Sequence, residues 1–156
     1  MKILFICTHN RCRSVLSEVI VNTIAEGEIT AQSAGSEPAG EVHPLTIKYL
    51  HEAGYPTDGL KSQSWDDFEQ FQPTVVITVC DAAAGETCPM YFSRALKVHW
   101  GLPDPSKVSG TDEQKARAFE DVISEIETRA RDLKAIARAD LEGDALRVAL
   151  NKLGAK

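Results

Sequence analysis

Apolar and polar positions follow two different periods along the chain, and the pattern predicts strands and helices in turn. Short segments predict four strands, at residues 2–6, 29–34, 74–79 and 95–100. The first is an apolar, buried run, and the third is rich in β-branched residues. Between the first two strands, apolar residues recur at the spacing of a helix that ends at Gly27. Its predicted stripe comprises Val15, Leu16, Val19, Ile20 and Ile24.

Later segments predict further helices with recognisable ends. One has Pro44 in its first turn and turns Ile47 and Leu50 inward, and a short one runs from a cap at Ser64. A long helix starts near Thr111, where Gln114 completes a capping pattern, and apolar residues beyond residue 137 predict one more packed helix. Strands that alternate with helices predict an α/β fold of three layers, a four-stranded parallel sheet with helices on both faces.

Length and charge restrict the class of protein. We expect the 156 residues to form a single catalytic domain, with residues 1–136 as its core and residues 137–156 as a helical extension. The net charge of −6 argues against nucleic-acid binding, and no stretch approaches the roughly 20 apolar residues of a membrane helix. The apolar start is too short for a signal peptide, so we expect a cytoplasmic protein. We also expect the protein to be a monomer.

The segment between the first strand and the first helix carries the strongest candidate chemistry. It reads Cys7-Thr8-His9-Asn10-Arg11-Cys12-Arg13-Ser14. A tight loop that opens a helix points backbone N–H groups into one concavity, which suits a tetrahedral oxyanion. The same field favours the thiolate of Cys7, and Arg13 offers paired donors to two oxyanion oxygens. The alternative is a buried Cys7 that only packs.

Two polar residues can support this loop. Ser14 can cap free helix amides or donate its hydroxyl to the Cys7 thiolate. Asn10 can brace the loop through its amide or adopt a left-handed backbone. For Cys12 we expect packing rather than reactivity.

Parallel strands end at one edge of a sheet, so Cys7, Cys80 and residues 101–106 are predicted to converge. Asp104 lies between two prolines there and can serve as a general acid for a leaving oxygen, with an ordinary Asp-Pro turn as the alternative. A hydrolase needs no further thiol, because water can resolve a covalent intermediate. Cys80 and Cys88 therefore indicate thiol–disulfide exchange, unless both merely pack. The four cysteines have no C-x-x-C spacing, so we expect no metal site.

These motifs together resemble the thioredoxin-coupled arsenate reductases, whose fold is that of low-molecular-weight protein tyrosine phosphatases. The resemblance covers about residues 1–136 and combines three motifs in register. They are the loop of residues 7–14, Thr78-Val79-Cys80 with Cys88-Pro89-Met90, and His99-Trp100-Gly101 with Asp104-Pro105.

The resemblance implies reduction of arsenate to arsenite, with phosphate or sulfate as competing oxyanions and no bound cofactor. By position, Cys7 attacks arsenate, Asp104 protonates the departing oxygen, and Cys80 then attacks Cys7. Cys88 next forms a disulfide with Cys80, which thioredoxin reduces; glutathione with glutaredoxin is the alternative reductant. The residues implied in holding the oxyanion are Thr8, His9, Asn10, Arg11, Cys12, Arg13 and Ser14.

Two positions depart from the family pattern. His9 stands where a glycine is usual. Some relatives hold potassium with residues that match Asn10, Glu18 and Ser33 together with an aspartate, but Gln63 occupies the last place here. We therefore predict no strong potassium site.

Two other functions stay open. A tyrosine phosphatase would use the same Cys7, Arg13 and Asp104, but phosphatases of this fold usually place aromatic residues after the Asp-Pro pair. Residues 106–108 contain none, which favours a small inorganic substrate. A non-enzymatic oxyanion sensor or redox-regulated binding module would have no use for Asp104.

Overall fold

The computed structural model of the protein describes residues 1–80 and 92–154. Its strands form one parallel sheet in the order β2-β1-β3-β4. They are β1 (Lys2–Ile6), β2 (Thr30–Ala34), β3 (Val75–Thr78) and β4 (Leu96–His99). The predicted α/β class and the four predicted strands are confirmed, each strand to within one residue at either end.

The sheet is covered on both faces. Ile3, Leu4, Phe5 and Ile6 are all buried along β1. Because successive side chains of a strand point to opposite faces, burial of all four requires packing on either side of β1.

Helices surround the sheet and pack on each other. They are α1 (Arg13–Ala25), α2 (Pro44–Glu52), α3 (Asp112–Arg138) and α4 (Gly143–Gly154), with short 3-10 turns at Trp65–Phe68 and Pro105–Lys107. Helix α1 contacts β1, β2 and α3, and α4 contacts β4 and α3. Among the described residues, no helix has both the length and the apolar character needed to cross a membrane.

Capping explains where α3 begins. The Thr111 side chain accepts a hydrogen bond from the Gln114 backbone N–H, and the Gln114 side chain accepts one from the Thr111 N–H. This reciprocal pair satisfies two amides that the helix itself leaves free, as the sequence predicts. The tail helix α4 also packs as expected, with Leu146, Leu150 and Leu153 buried.

One predicted helix face is wrong. Ile47 is 39% exposed, although Leu50 is fully buried as expected. The buried face of α2 instead combines Leu50 with Thr46 and Tyr49, and the Tyr49 ring stacks on Phe119 with centroids 4.8 Å apart. One residue of helix turns the side chain by about 100°, so contact through Thr46 rotates Ile47 towards solvent.

Candidate active site

A cavity of about 160 Å³ lies beyond the carboxyl ends of β1, β3 and β4. Its lining residues are Cys7, Thr8, His9, Arg11, Cys12, Arg13, Cys80, Asp104 and Lys107. The structure thus brings together three segments that are far apart in sequence, as the sheet topology predicts. Asn10 and Ser14 are buried behind the lining, and Cys88 lies outside the described residues.

A short chain of hydrogen bonds orients the Ser14 hydroxyl towards the Cys7 sulfur. Cys7 Sγ lies 2.9 Å from Ser14 Oγ, and Asn10 Nδ2 donates to the same Ser14 oxygen over 2.8 Å. Because the oxygen accepts from Asn10, its own hydrogen is available to the sulfur and stabilises the thiolate. Ser14 does not cap α1: the cap position is Cys12, which makes no side-chain capping bond.

Asn10 also fixes the shape of the loop. Its backbone is left-handed, with φ of 46°, and its Oδ1 accepts from the Gln63 backbone N–H over 2.7 Å. Asparagine tolerates this conformation better than most residues. Both roles predicted for Asn10, the brace and the left-handed turn, are present in the structure.

The backbone amides of residues 9–14 donate to no protein acceptor within residues 1–80 and 92–154. Free N–H groups at the start of a helix attract anions, because the helix dipole places partial positive charge there. The loop is therefore prepared to hold a tetrahedral oxyanion against Cys7.

Arg13 joins this loop to the segment that carries Asp104. Its Nη1 donates to the Leu102 carbonyl over 3.0 Å, and its Nη2 lies 3.5 Å from Asp104 Oδ2. Asp104 Oδ1 accepts from both the backbone N–H and the hydroxyl of Ser106, at 3.0 and 2.6 Å. Oδ1 is engaged twice by Ser106, whereas Oδ2 has only the longer contact with Arg13 among the described residues, so Oδ2 is the oxygen better placed to carry and deliver a proton.

Arg129, a residue that the sequence analysis did not single out, anchors the segment before Asp104. Arg129 of α3 is buried and donates to the Trp100 carbonyl over 2.9 Å, and its guanidinium lies 5.3 Å from the centre of the Trp100 ring. The Leu102 N–H donates to the Val79 carbonyl. The sequence signal that could have identified Arg129 is its position within the apolar stripe of the helix, where an arginine is rarely buried without a partner.

Cys80 lies beside the loop of residues 7–14, the nucleophile loop, which carries the candidate nucleophile Cys7. It is buried, lines the same cavity as Cys7, and its Sγ is 3.8 Å from the Thr8 hydroxyl. Since Thr8 follows Cys7 directly, this contact ties the second thiol to the loop that carries the first.

Cys12 shares the cavity but has an unreactive setting. Burial raises the pKa of its thiol to about 12, against a hydrogen bond with Thr46 that lowers it. Only the thiolate is an effective nucleophile, and at pH 8 a thiol with that pKa is ionised in about one molecule in 10⁴.

We therefore expect iodoacetamide at pH 8 to alkylate Cys12 last among the described cysteines. Peptide mass spectrometry over time measures the order, and denatured protein provides the control in which all thiols react alike. Labelling of Cys12 as fast as Cys7 in the native protein would contradict this assignment.

The residues that match the potassium set of some relatives are already hydrogen-bonded in two pairs. Glu18 accepts from the Ser33 hydroxyl over 3.0 Å, and burial raises the pKa of Glu18, which disfavours its charged form. Asn10 Oδ1 is engaged by the Gln63 N–H. In the part of the chain that the structure describes, no three His, Cys, Asp or Glu side chains are grouped to hold a metal ion. The absence of a strong potassium site stays a prediction.

Comparison with known proteins adds independent information. The sequence pattern of the low molecular weight phosphotyrosine protein phosphatases matches residues 2–144. An arsenate reductase from Halalkalibacterium halodurans is 36% identical over 129 residues, which are 83% of this chain and 91% of that protein.

Solved structures agree with this relationship. A structure described as an arsenate reductase in the phosphate binding state has a TM-score of 0.70 at 30% identity, over 86% of this chain and 96% of that one. The thioredoxin-dependent arsenate reductase of Corynebacterium glutamicum has a TM-score of 0.68 at 29% identity, over 90% of this chain and 63% of that one.

Proposed function

The chain belongs to the low molecular weight phosphotyrosine protein phosphatase family and, within it, to the arsenate reductases, and from this premise we propose that it reduces arsenate to arsenite with thioredoxin as reductant. The observation that carries the proposal is that Cys7 and Cys80 line one cavity together with Arg13 and Asp104.

The first half of the reaction uses the features shared with phosphatases. The Cys7 thiolate attacks the arsenic of arsenate, whose oxygens are held by the loop N–H groups and the Arg13 guanidinium. One hydroxyl group of the arsenate leaves as water when Asp104 Oδ2 delivers a proton to its oxygen. The product is a covalent adduct in which the Cys7 sulfur is bonded to arsenic(V).

The second half removes two electrons from thiols. The Cys80 thiolate attacks the Cys7 sulfur, so that a disulfide bond forms and the sulfur–arsenic bond breaks. The electron pair of that bond goes to arsenic, which leaves as arsenite. Cys88 then attacks Cys80 and frees Cys7, and thioredoxin reduces the Cys80–Cys88 disulfide. The step at Cys88 rests on the family pattern, since that residue lies outside the described part.

The cycle also supports proposals about the cellular compartment, the cofactor and the oligomeric state. It needs three reduced thiols, which favours the cytoplasm as its compartment. It needs no bound cofactor, because thiols carry the electrons. We also propose that the protein acts as a monomer, because Cys7, Arg13, Cys80 and Asp104 already meet at one cavity within a single chain.

A phosphatase is the less supported alternative. It would use Cys7, Arg13 and Asp104 in the same way, with water resolving the adduct. The thiol of Cys80 in the same cavity favours attack by sulfur instead.

The test is arsenate-dependent oxidation of NADPH in the presence of thioredoxin and its reductase, compared with glutathione and glutaredoxin, for the wild type and Cys88→Ser. We expect turnover with thioredoxin and its loss in Cys88→Ser. Turnover with glutaredoxin alone, unaffected by Cys88→Ser, would overturn the thioredoxin coupling. Failure of both reductants together with fast hydrolysis of an aryl phosphate would overturn the reductase.

A further inference from the structure

The lining of the cavity has more basic than acidic side chains. Arg11 and Lys107 line it in addition to Arg13, and Asp104 is the single acidic residue of its described lining. Lys107 is exposed and Arg11 is half-buried, so both side chains reach solvent. Arg13 is held by the Asp104 carboxylate and by the Leu102 carbonyl. The positive charges of Arg11 and Lys107 are therefore not balanced by an acidic residue of the described lining.

Neither of these two side chains is neutralised by a neighbour. Within residues 1–80 and 92–154, neither Arg11 nor Lys107 forms an ion pair with a carboxylate. The two come from separate elements, the nucleophile loop and the 3-10 turn Pro105–Lys107. Their shared position at the cavity is thus a product of the fold and not of local sequence.

The surroundings make this local charge effective. The whole protein carries a net charge of −6, which repels a divalent oxyanion at long range. Two unpaired cations that line a concave site make the local potential more positive, and such focusing raises association rates by 10-fold or more. The effect falls with salt, because the screening length is about 10 Å at 0.1 M ionic strength.

We propose that the side chains of Arg11 and Lys107 form a cationic mouth that captures the oxyanion dianion before it reaches the loop. As applied to arsenate, this proposal rests on the proposed function. Arg11 and Lys107 act as positioning residues: they raise capture of the anion and leave bond formation at Cys7 to the loop, Arg13 and Asp104. Their removal should therefore affect KM far more than kcat.

A pair of alkylating reagents tests the mouth without any arsenate. Iodoacetate and iodoacetamide have similar size and chemistry, but iodoacetate is an anion. In the wild type we expect the ratio of their rates at Cys7 to exceed the ratio at free cysteine, and to fall as salt rises. Arg11→Gln and Lys107→Gln should each lower the ratio about three- to tenfold, and the double variant further.

Controls separate this effect from general charge or misfolding. Arg147 is exposed on α4 and does not line the cavity, so Arg147→Gln removes the same charge and should keep the wild-type ratio. Lys107→Glu should lower the ratio below that of Lys107→Gln. Equal ratios in the wild type and in all of these variants would overturn the proposal.

Arsenate kinetics then distinguish failure of the cationic mouth from failure of the proposed reductase function. We expect KM for arsenate to rise about three- to tenfold in each Gln variant, with kcat lowered less than about twofold. Arsenate reduction with unaltered KM and unaltered alkylation ratios would overturn the cationic mouth and leave the reductase. A wild type that reduces no arsenate, but whose iodoacetate preference falls in the variants, would overturn the reductase and leave the mouth.

Discussion

Cys80→Ser is expected to lower steady-state arsenate reduction by at least about 10³-fold, on the scale of losing a nucleophile, while oxyanion binding at Cys7 persists. The reason is that the adduct at Cys7 forms without Cys80, but release of arsenite needs a thiolate to attack the Cys7 sulfur. Serine has nearly the size and shape of cysteine, so the cavity should keep its shape although the 3.8 Å contact of Cys80 Sγ with Thr8 is lost.

Two measurements separate chemistry from binding in this variant. Arsenite production measures turnover, and protection of Cys7 from iodoacetamide by arsenate or phosphate measures binding. We expect loss of the first and retention of the second, whereas Cys7→Ser should lose turnover altogether. If Cys80→Ser kept a third or more of wild-type turnover, another group would resolve the adduct and the role of Cys80 would be wrong.

Gly35→Ala is expected to lower kcat/KM for arsenate by about 10²-fold or more, because displacement of a catalytic loop by about 1 Å has effects of this size. Gly35 lies directly behind the nucleophile loop. A Cβ added there would lie 2.5 Å from the Thr8 carbonyl oxygen and 2.9 Å from that of Cys7. Backbone atoms cannot turn aside as a side chain can, so the loop itself must move.

A second glycine provides the matched control. Gly27 has φ of 89°, so alanine there is strained, but an added Cβ meets no atom within 4 Å. Gly27→Ala should therefore lower the free energy of unfolding by about 1 kcal/mol and keep kcat/KM near the wild type. Unfolding in urea and arsenate kinetics measure both quantities. Wild-type kcat/KM in Gly35→Ala would contradict the close fit of the loop.

Much of the fold follows from local sequence. Segments of five or six residues predicted the strands, and the Thr111 and Gln114 pair predicted the start of α3, because strand patterns and helix capping are encoded within a few residues. The convergence of Cys7, Cys80 and Asp104 also followed, since the rule that parallel strands end at one edge needs only their order.

Other features depend on contacts between distant segments and could not be predicted in this way. The role of Gly35 does not follow from local sequence, because Gly35 comes close to the nucleophile loop only when β2 pairs with β1. From the sequence, Lys107 is only one of three non-aromatic residues after the Asp-Pro pair. Its position at the cavity depends on the 3-10 turn that Asp104 caps. The exposure of Ile47 was missed because Phe119, the partner of the true buried face, is distant in sequence.

The central claim is that sulfur, and not water, resolves the adduct at Cys7. Its most direct test is a single turnover of Cys88→Ser with equimolar arsenate and no reductant, followed by alkylation of free thiols and peptide mass spectrometry. We predict one arsenite for each chain and a disulfide between Cys7 and Cys80. Free thiols at both cysteines, with no arsenite formed, would contradict the account.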